Sequence, residues 1–189
     1  EFERMLSPLG AGLRAKRIAF VACFGSRQRA WEPCSAICCM AMLKEARMAK
    51  ELDPSLEIAV FFMDLRTFGK GHELYLRQVK AGGVRLIRSM PAITGEGEEG
   101  HLLLRWFEGG KIHQEEFDLV VLATGLRPRQ EALRTFEVLG VEVDRWGFVR
   151  ADGVRTSRPG VFVCGMASGP KDISDSVTEA IAAAHEAIG

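Results

Sequence analysis

Three observations predict an α/β fold for this 189-residue chain. Short unbroken apolar runs alternate with stretches of helical periodicity, the pattern of strands covered on both faces by helices. Strand, loop, helix and strand follow one another between 17 and 63, the span of one βαβ unit, so its strands are expected parallel. A glycine-rich turn between two further strands then breaks the alternation with a hairpin. The expected architecture is a Rossmann-like βαβ module with a parallel sheet, a small β-hairpin section and a further α/β part.

The elements justify themselves in order. Residues 1–16 read as a short amphipathic lead and a loop containing Gly10 and Gly12. Arg17-Ile18-Ala19-Phe20-Val21-Ala22 is a buried strand, and Cys23-Phe24-Gly25-Ser26-Arg27 the loop after it. Helical periodicity begins near Ser35 and runs to Leu52, where Asp53-Pro54 stops it because proline disfavours helical geometry in the residue before it. A strand over 57–63, a helix over 71–81 and a strand over 84–87 continue the alternation. Strands at 102–107 and 111–117 flank Glu108-Gly109-Gly110, whose glycines supply the positive φ of a tight turn. A buried strand then opens into Gly125, a helix covers 131–139, and the chain is extended near Phe148. A strand at 160–164, a polar loop and an alanine-rich helix over 175–188 close the sequence.

Composition removes several classes of function. Basic and acidic residues number 25 each, so bulk charge does not recruit nucleic acid. No apolar run approaches the roughly 20 residues of a membrane helix, and the opening Glu1-Phe2-Glu3-Arg4 lacks the layout of an export signal. The reading is a cytoplasmic protein with no membrane span.

Cysteine carries the chemistry. Of the five, Cys23, Cys34, Cys38 and Cys39 cluster, while Cys164 lies in an apolar run that suits a small buried hydrophobe. An odd number without an export signal argues against a disulfide framework and for metal or redox chemistry. With the helix starting near Ser35, Cys34 would sit at its cap on the same face as Cys38, and Cys23 would approach from the end of the strand. The positive end of the helix dipole favours an anionic centre there. Three readings remain at this point: a [4Fe–4S] cluster, which uses four thiolates; a structural zinc site; and either plain buried cysteines or a vicinal Cys38–Cys39 redox pair. The last is weakened because adjacent cysteines rarely reach the Cα separation a disulfide needs. The same loop has one glycine where a dinucleotide cradle has three, which argues against tight NAD(P) binding. The four histidines show no ligand spacing.

Several segments together resemble the A-type component of heterodisulfide reductase and its relatives, which are flavin and iron–sulfur electron-transfer proteins. They are Arg17-Ile18-Ala19-Phe20-Val21-Ala22-Cys23, Cys34-Ser35-Ala36-Ile37-Cys38-Cys39-Met40 and Phe62-Met63-Asp64-Leu65-Arg66-Thr67-Phe68-Gly69-Lys70-Gly71. Two more follow in the family's order: Asp118-Leu119-Val120-Val121-Leu122-Ala123-Thr124-Gly125, and the stretch from Gly165-Met166-Ala167-Ser168 through Asp175-Ser176. The resemblance implies a thioredoxin-reductase-like architecture. A nicotinamide-domain-like module over 17–117 would carry a [4Fe–4S] cluster on Cys23, Cys34, Cys38 and Cys39. Residues 118–189 would be the C-terminal part of an FAD-binding domain, after a lead segment at 1–16.

By the same resemblance Lys44 would lie near the flavin's reactive nitrogen, where a positive charge stabilises reduced flavin. Ala123, Thr124, Gly125, Gly165, Met166, Pro170, Lys171, Asp172, Ile173 and Ser176 would contact the cofactor. The chain departs from the family in two ways. Met166 stands where relatives of the fold often have Asp, and the Gly-x-Gly-x-x-Gly strand-turn-helix expected to grip the FAD pyrophosphate does not precede residue 1. The implied function is an electron-transfer module passing electrons between FAD and the cluster. The FAD would be shared with a missing segment or a partner chain, and the module would be inactive without them. Other heterodisulfide-reductase-like subunits and carriers such as ferredoxin are the implied partners. The alternative is a zinc-stabilised, non-catalytic docking domain.

Overall fold

The computed structural model describes residues 1–6, 13–97 and 100–189. The expected loop glycines Gly10 and Gly12 lie outside them. The chain divides into two compact units, the first made of Glu1–Gly25 and Cys38–Thr124, the second of Ser26–Ile37 and Gly125–Gly189.

The first unit is built on a four-stranded parallel sheet. Its strands are β1 (Arg17–Val21), β2 (Glu57–Phe61), β3 (Arg85–Ile87) and β7 (Leu119–Leu122), in the order β3-β2-β1-β7. The registers place Ile18 opposite Ile58 and Leu119, and Phe61 opposite Ile87. Side chains alternate across a strand, and here the two faces have different partners. Ile18, Phe20, Ile58 and Val60 pack with Phe2 of α1 (Phe2–Leu6), with Met42, Leu43, Ala46 and Ala49 of α2 (Cys38–Leu52), and with Val79 of α3 (His72–Ala81). Ala19, Val21, Ala59 and Phe61 pack with Leu104, Trp106 and Phe117 of an antiparallel sheet, which consists of β4 (Ala92–Glu96), β5 (Leu102–Glu108) and β6 (Lys111–Phe117). Both faces being covered explains the unbroken apolar runs.

Three expectations are corrected within this unit and at its margin. α2 begins at Cys38, three residues later than the periodicity suggested. Ala36 takes a left-handed φ of 60°, and Ile37 N–H donates to Ser35 O at 2.7 Å. That tight turn is incompatible with a helix, so Cys34 is neither its cap nor on its face. β4 went unforeseen because all five of its residues are exposed, leaving no alternation to read. The hairpin turn is as expected, with Gly109 and Gly110 at φ 57° and 80° and Glu108 paired with Lys111.

An ionic clasp ties the two sheets of this unit. Arg85 grips Glu115 through both carboxylate oxygens at 2.8 and 2.9 Å, and Arg17 reaches the same carboxylate at 3.2 Å. The hydrogen bonds from Arg85 hold the Glu115 carboxyl below its usual range, against the opposing effect of burial. A carboxylate whose pKa is depressed on folding stabilises the protein above its unfolded pKa, and that stability is lost as pH falls through the folded value. Glu115→Gln should therefore cost about 1 kcal/mol at neutral pH. The gap between variant and parent, read by denaturant titration, should begin to narrow below the ordinary glutamate pKa of 4.5 and close only below the lowered folded value. An equal gap at acid and neutral pH would show that charge is not the source.

The second unit contains α4 (Gln130–Leu139), the two-stranded hairpin β8 (Ala151–Asp152) and β9 (Arg155–Thr156), a 3-10 turn at Gly165–Ser168, and α5 (Ile173–Ile188). The strand expected at 160–164 is reduced to a single bridge between Phe162 and Arg155. Cys164 accordingly is exposed rather than buried, and it serves as the N-cap of the 3-10 turn. Trp31 anchors the unit. Its ring lies edge-on to Trp146 at 5.1 Å and to Phe148 at 6.3 Å, with the Arg127 guanidinium 4.5 Å from its centroid.

Candidate functional site

All five cysteines carry thiols rather than disulfides. In the first unit, Cys23 follows β1 in a left-handed conformation, φ 55°, that non-glycine residues seldom adopt. Flanking hydrogen bonds hold the strained corner: Ala22 N–H donates to Phe61 O, Ala123 N–H to Val21 O, and Phe24 N–H to Ala123 O. Cys38 and Cys39 form the first turn of α2, which has no acidic residue to neutralise its dipole. Cys39 is buried, with its Sγ 3.9 Å from the carbonyl oxygen of Asp64. In the second unit, half-buried Cys34 accepts a hydrogen bond from Ala36 N–H at 3.3 Å. Thiols are the donor type of a thiolate-ligated centre, and Cys38 and Cys39 stand at a helix N-terminus. Among the described residues, however, no three or more His, Cys, Asp or Glu side chains are gathered to hold a metal ion.

Lys44 lies on α2 with its ammonium 2.6 Å from the Glu3 carboxylate, whose hydrogen bond raises the lysine pKa. Of the residues expected to face a flavin, Ala123 continues β7 and is held by the bonds just given, with Thr124 next to it in the same unit. Gly125 opens the second unit at φ 79°. A Cβ there would stand 2.5 Å from both Ser26 Oγ and Ser35 Oγ, so only glycine fits between these two hydroxyls. Ser35 Oγ also accepts from Leu126 N–H at 2.7 Å.

The other expected contacts converge on one turn. Gly165 is buried at φ 64°, and Met166 follows it into a groove of about 650 Å³ shared with Leu126, Pro128 and Phe136. Past Pro170, Asp172 caps α5 by accepting from Asp175 N–H at 2.8 Å, and Ser176 Oγ donates to Asp172 O at 2.6 Å. Ile173, the first residue of α5, is exposed. Lys171 is the least exposed of the turn's ions, paired with Glu179 at 2.5 Å. Sequence reasoning missed Glu179: its two oxygens engage Lys171 and the Gly165 N–H, yet on the helix it reads as an ordinary surface acid.

The family of pyridine nucleotide-disulphide oxidoreductases matches residues 56–188, well over half of the chain. The chain belongs to this family. Among curated relatives, the A-type iron-sulfur component of the CoB--CoM heterodisulfide reductase of Methanocaldococcus jannaschii is 38% identical over 97% of this chain and 31% of its own length. The A-type component of the H(2):CoB-CoM heterodisulfide,ferredoxin reductase of Methanothermobacter marburgensis is 35% identical over 99% of this chain and 31% of its own length. The chain thus spans about a third of these relatives.

Solved structures agree on the fold. Thioredoxin reductase of T. acidophilum superposes with a TM-score of 0.59 at 19% identity, covering 91% of this chain and 51% of that one. The flavoprotein disulfide reductase RclA of Escherichia coli superposes with 0.60 at 13% identity, covering 93% and 36%. The architecture of this family member is therefore thioredoxin-reductase-like, and family membership supports an oxidoreductase role and implies a flavin. No helix among the described residues is long and apolar enough to cross a membrane.

Proposed function

We propose that this chain is the electron-transfer module of a heterodisulfide-reductase-A-like oxidoreductase, working between FAD and a [4Fe–4S] cluster. The observation that carries the reading is the set of four thiols, Cys23, Cys34, Cys38 and Cys39, in a chain matched along 97% of its length by a relative named for its iron–sulfur content. These four would hold the cluster, which supplies one-electron transfer when bound. The positive end of α2 favours thiolates at Cys38 and Cys39.

Gly125 and the Gly165–Ser176 segment would hold the flavin with Ala123 and Thr124. The positive φ of Gly125, Gly165 and Gly169 and the apolar groove beside Met166 support this. Lys44 would add positive charge toward the reduced cofactor. The rest of the FAD site would come from another segment or a partner chain, and other subunits of the complex or a ferredoxin would exchange electrons with it.

Anaerobic purification tests the reading, with iron, acid-labile sulfide, zinc and flavin quantified on one sample. About four iron and four sulfide per chain are expected, and Cys34→Ser should remove the associated visible absorbance. One zinc without sulfide would replace electron transfer by a zinc-stabilised docking role.

A further inference from the structure

The turn at Gly165–Ser168 has no acidic side chain of its own, and a carboxylate reaches it from elsewhere. Glu179, on α5, accepts the Gly165 N–H on Oε2 at 2.8 Å and the Lys171 ammonium on Oε1 at 2.5 Å. Lys171 donates its second bond to Ser168 Oγ at 2.6 Å, and that hydroxyl lies 3.1 Å from Gly165 O. One carboxylate and one ammonium thus tie both ends of a four-residue turn to the helix that follows it.

Gly165 is in the left-handed region, where its amide direction is set by the backbone and by this acceptor. Met166 and Ala167 of the clasped turn line the groove, beside Leu126 and Phe136. Burial works against charge on Glu179, yet the bonds from Lys171 and Gly165 hold its carboxyl below the ordinary range. The carboxylate is therefore ionised over the whole neutral range.

We infer that Glu179 and Lys171 are positioning residues that lock the Gly165–Ser168 turn from α5 for cofactor contact. The inference rests on the flavin reading above. It assigns Glu179 the acceptor role and Lys171 the role of orienting Glu179 and Ser168. Neither needs to touch the cofactor.

The test compares the parent chain with Glu179→Ala, Glu179→Gln, Lys171→Met and the exchange pair Lys171→Glu with Glu179→Lys. Hydrogen exchange at Gly165 is read without cofactor, and FAD binding is read by fluorescence titration and flavin absorbance in the assembled complex. Glu179→Ala should speed Gly165 exchange and weaken FAD binding, each about tenfold, the loss of one charge-assisted hydrogen bond. Glu179→Gln should recover part of both, since its amide oxygen still accepts. The exchange pair restores the ion pair but gives Gly165 no acceptor, so it should behave like Glu179→Ala, with circular dichroism unchanged throughout.

Parental exchange at Gly165 in Glu179→Ala would overturn the clasp itself. Faster exchange with parental FAD affinity and spectrum would overturn the positioning role and leave a local structural contact. A parent complex that binds no FAD would overturn the flavin reading and, with it, the cofactor half of this inference, while the exchange data still decide whether the clasp exists.

Discussion

Phe61→Ala should remove about 3–5 kcal/mol from the first unit, the cost of deleting a buried aromatic and leaving a cavity. Phe61 is fully buried at the end of β2, with Trp106 edge-on at 5.0 Å and Phe117 at 6.1 Å. These edge-to-face contacts add to the burial. The ring is the main side chain by which the parallel sheet fills the space under the antiparallel one, and the two layers cannot close over a methyl group without bending strands whose registers are fixed on both sides. Phe61→Leu keeps most of the volume and should cost less than half as much. Urea denaturation followed by far-UV circular dichroism measures both. A loss under about 1 kcal/mol for the alanine variant would mean that the antiparallel sheet is not packed on this face.

Gly125→Ala should be the most damaging single-methyl change in the second unit. The left-handed backbone alone costs a non-glycine residue about 1–2 kcal/mol. The added Cβ would also stand 2.5 Å from two seryl oxygens, and neither can retreat freely. Ser26 and Ser35 are both buried, and Ser35 is engaged with Leu126 N–H. The sum is about 3 kcal/mol or more once the serine rotamers are forced. Gly109→Ala is the matched control: its φ of 57° carries the same strain, and nothing lies within 4 Å of the added carbon. It should lose only the backbone part. Equal losses at the two sites would remove steric crowding from the account.

How much of this was legible in the sequence follows from how local each signal is. The apolar runs at 18–22 and 119–123 announced buried strands because both faces of that sheet are covered. The Gly109-Gly110 turn was legible because a two-residue hairpin demands positive φ at both positions. The start of α2 was misplaced by three residues, since Ser35-Ala36-Ile37 has acceptable helical composition. What stops the helix is the left-handed Ala36, a conformation alanine does not advertise.

Trp31 gave no signal of being an anchor. It sits in a polar stretch, and its partners Trp146 and Phe148 lie far along the chain. In the candidate site, Gly125, Gly165 and Asp172 were singled out by the family resemblance, and the structure gives them local roles, positive φ at the two glycines and the cap of α5 at Asp172. Glu179 was not, because what distinguishes it is the amide it meets rather than its own spacing.

The placement of β1 between β2 and β7 has a consequence for biosynthesis. Ile18 meets Ile58 on one side but Leu119 on the other. A chain emerging from the ribosome amino end first can pair β1 with β2 as soon as the crossover helix is out. The opposite edge of β1 must then wait until the antiparallel strands and β7 have been made. During that interval an apolar, unpaired edge is open to any extended segment nearby, the situation in which strand mispairing and aggregation begin. Folding of this unit therefore waits on the emergence of β7, and slowing synthesis after β1 has left the ribosome but before β7 has emerged should lower the yield of folded protein more than the same pause placed after β7 is out.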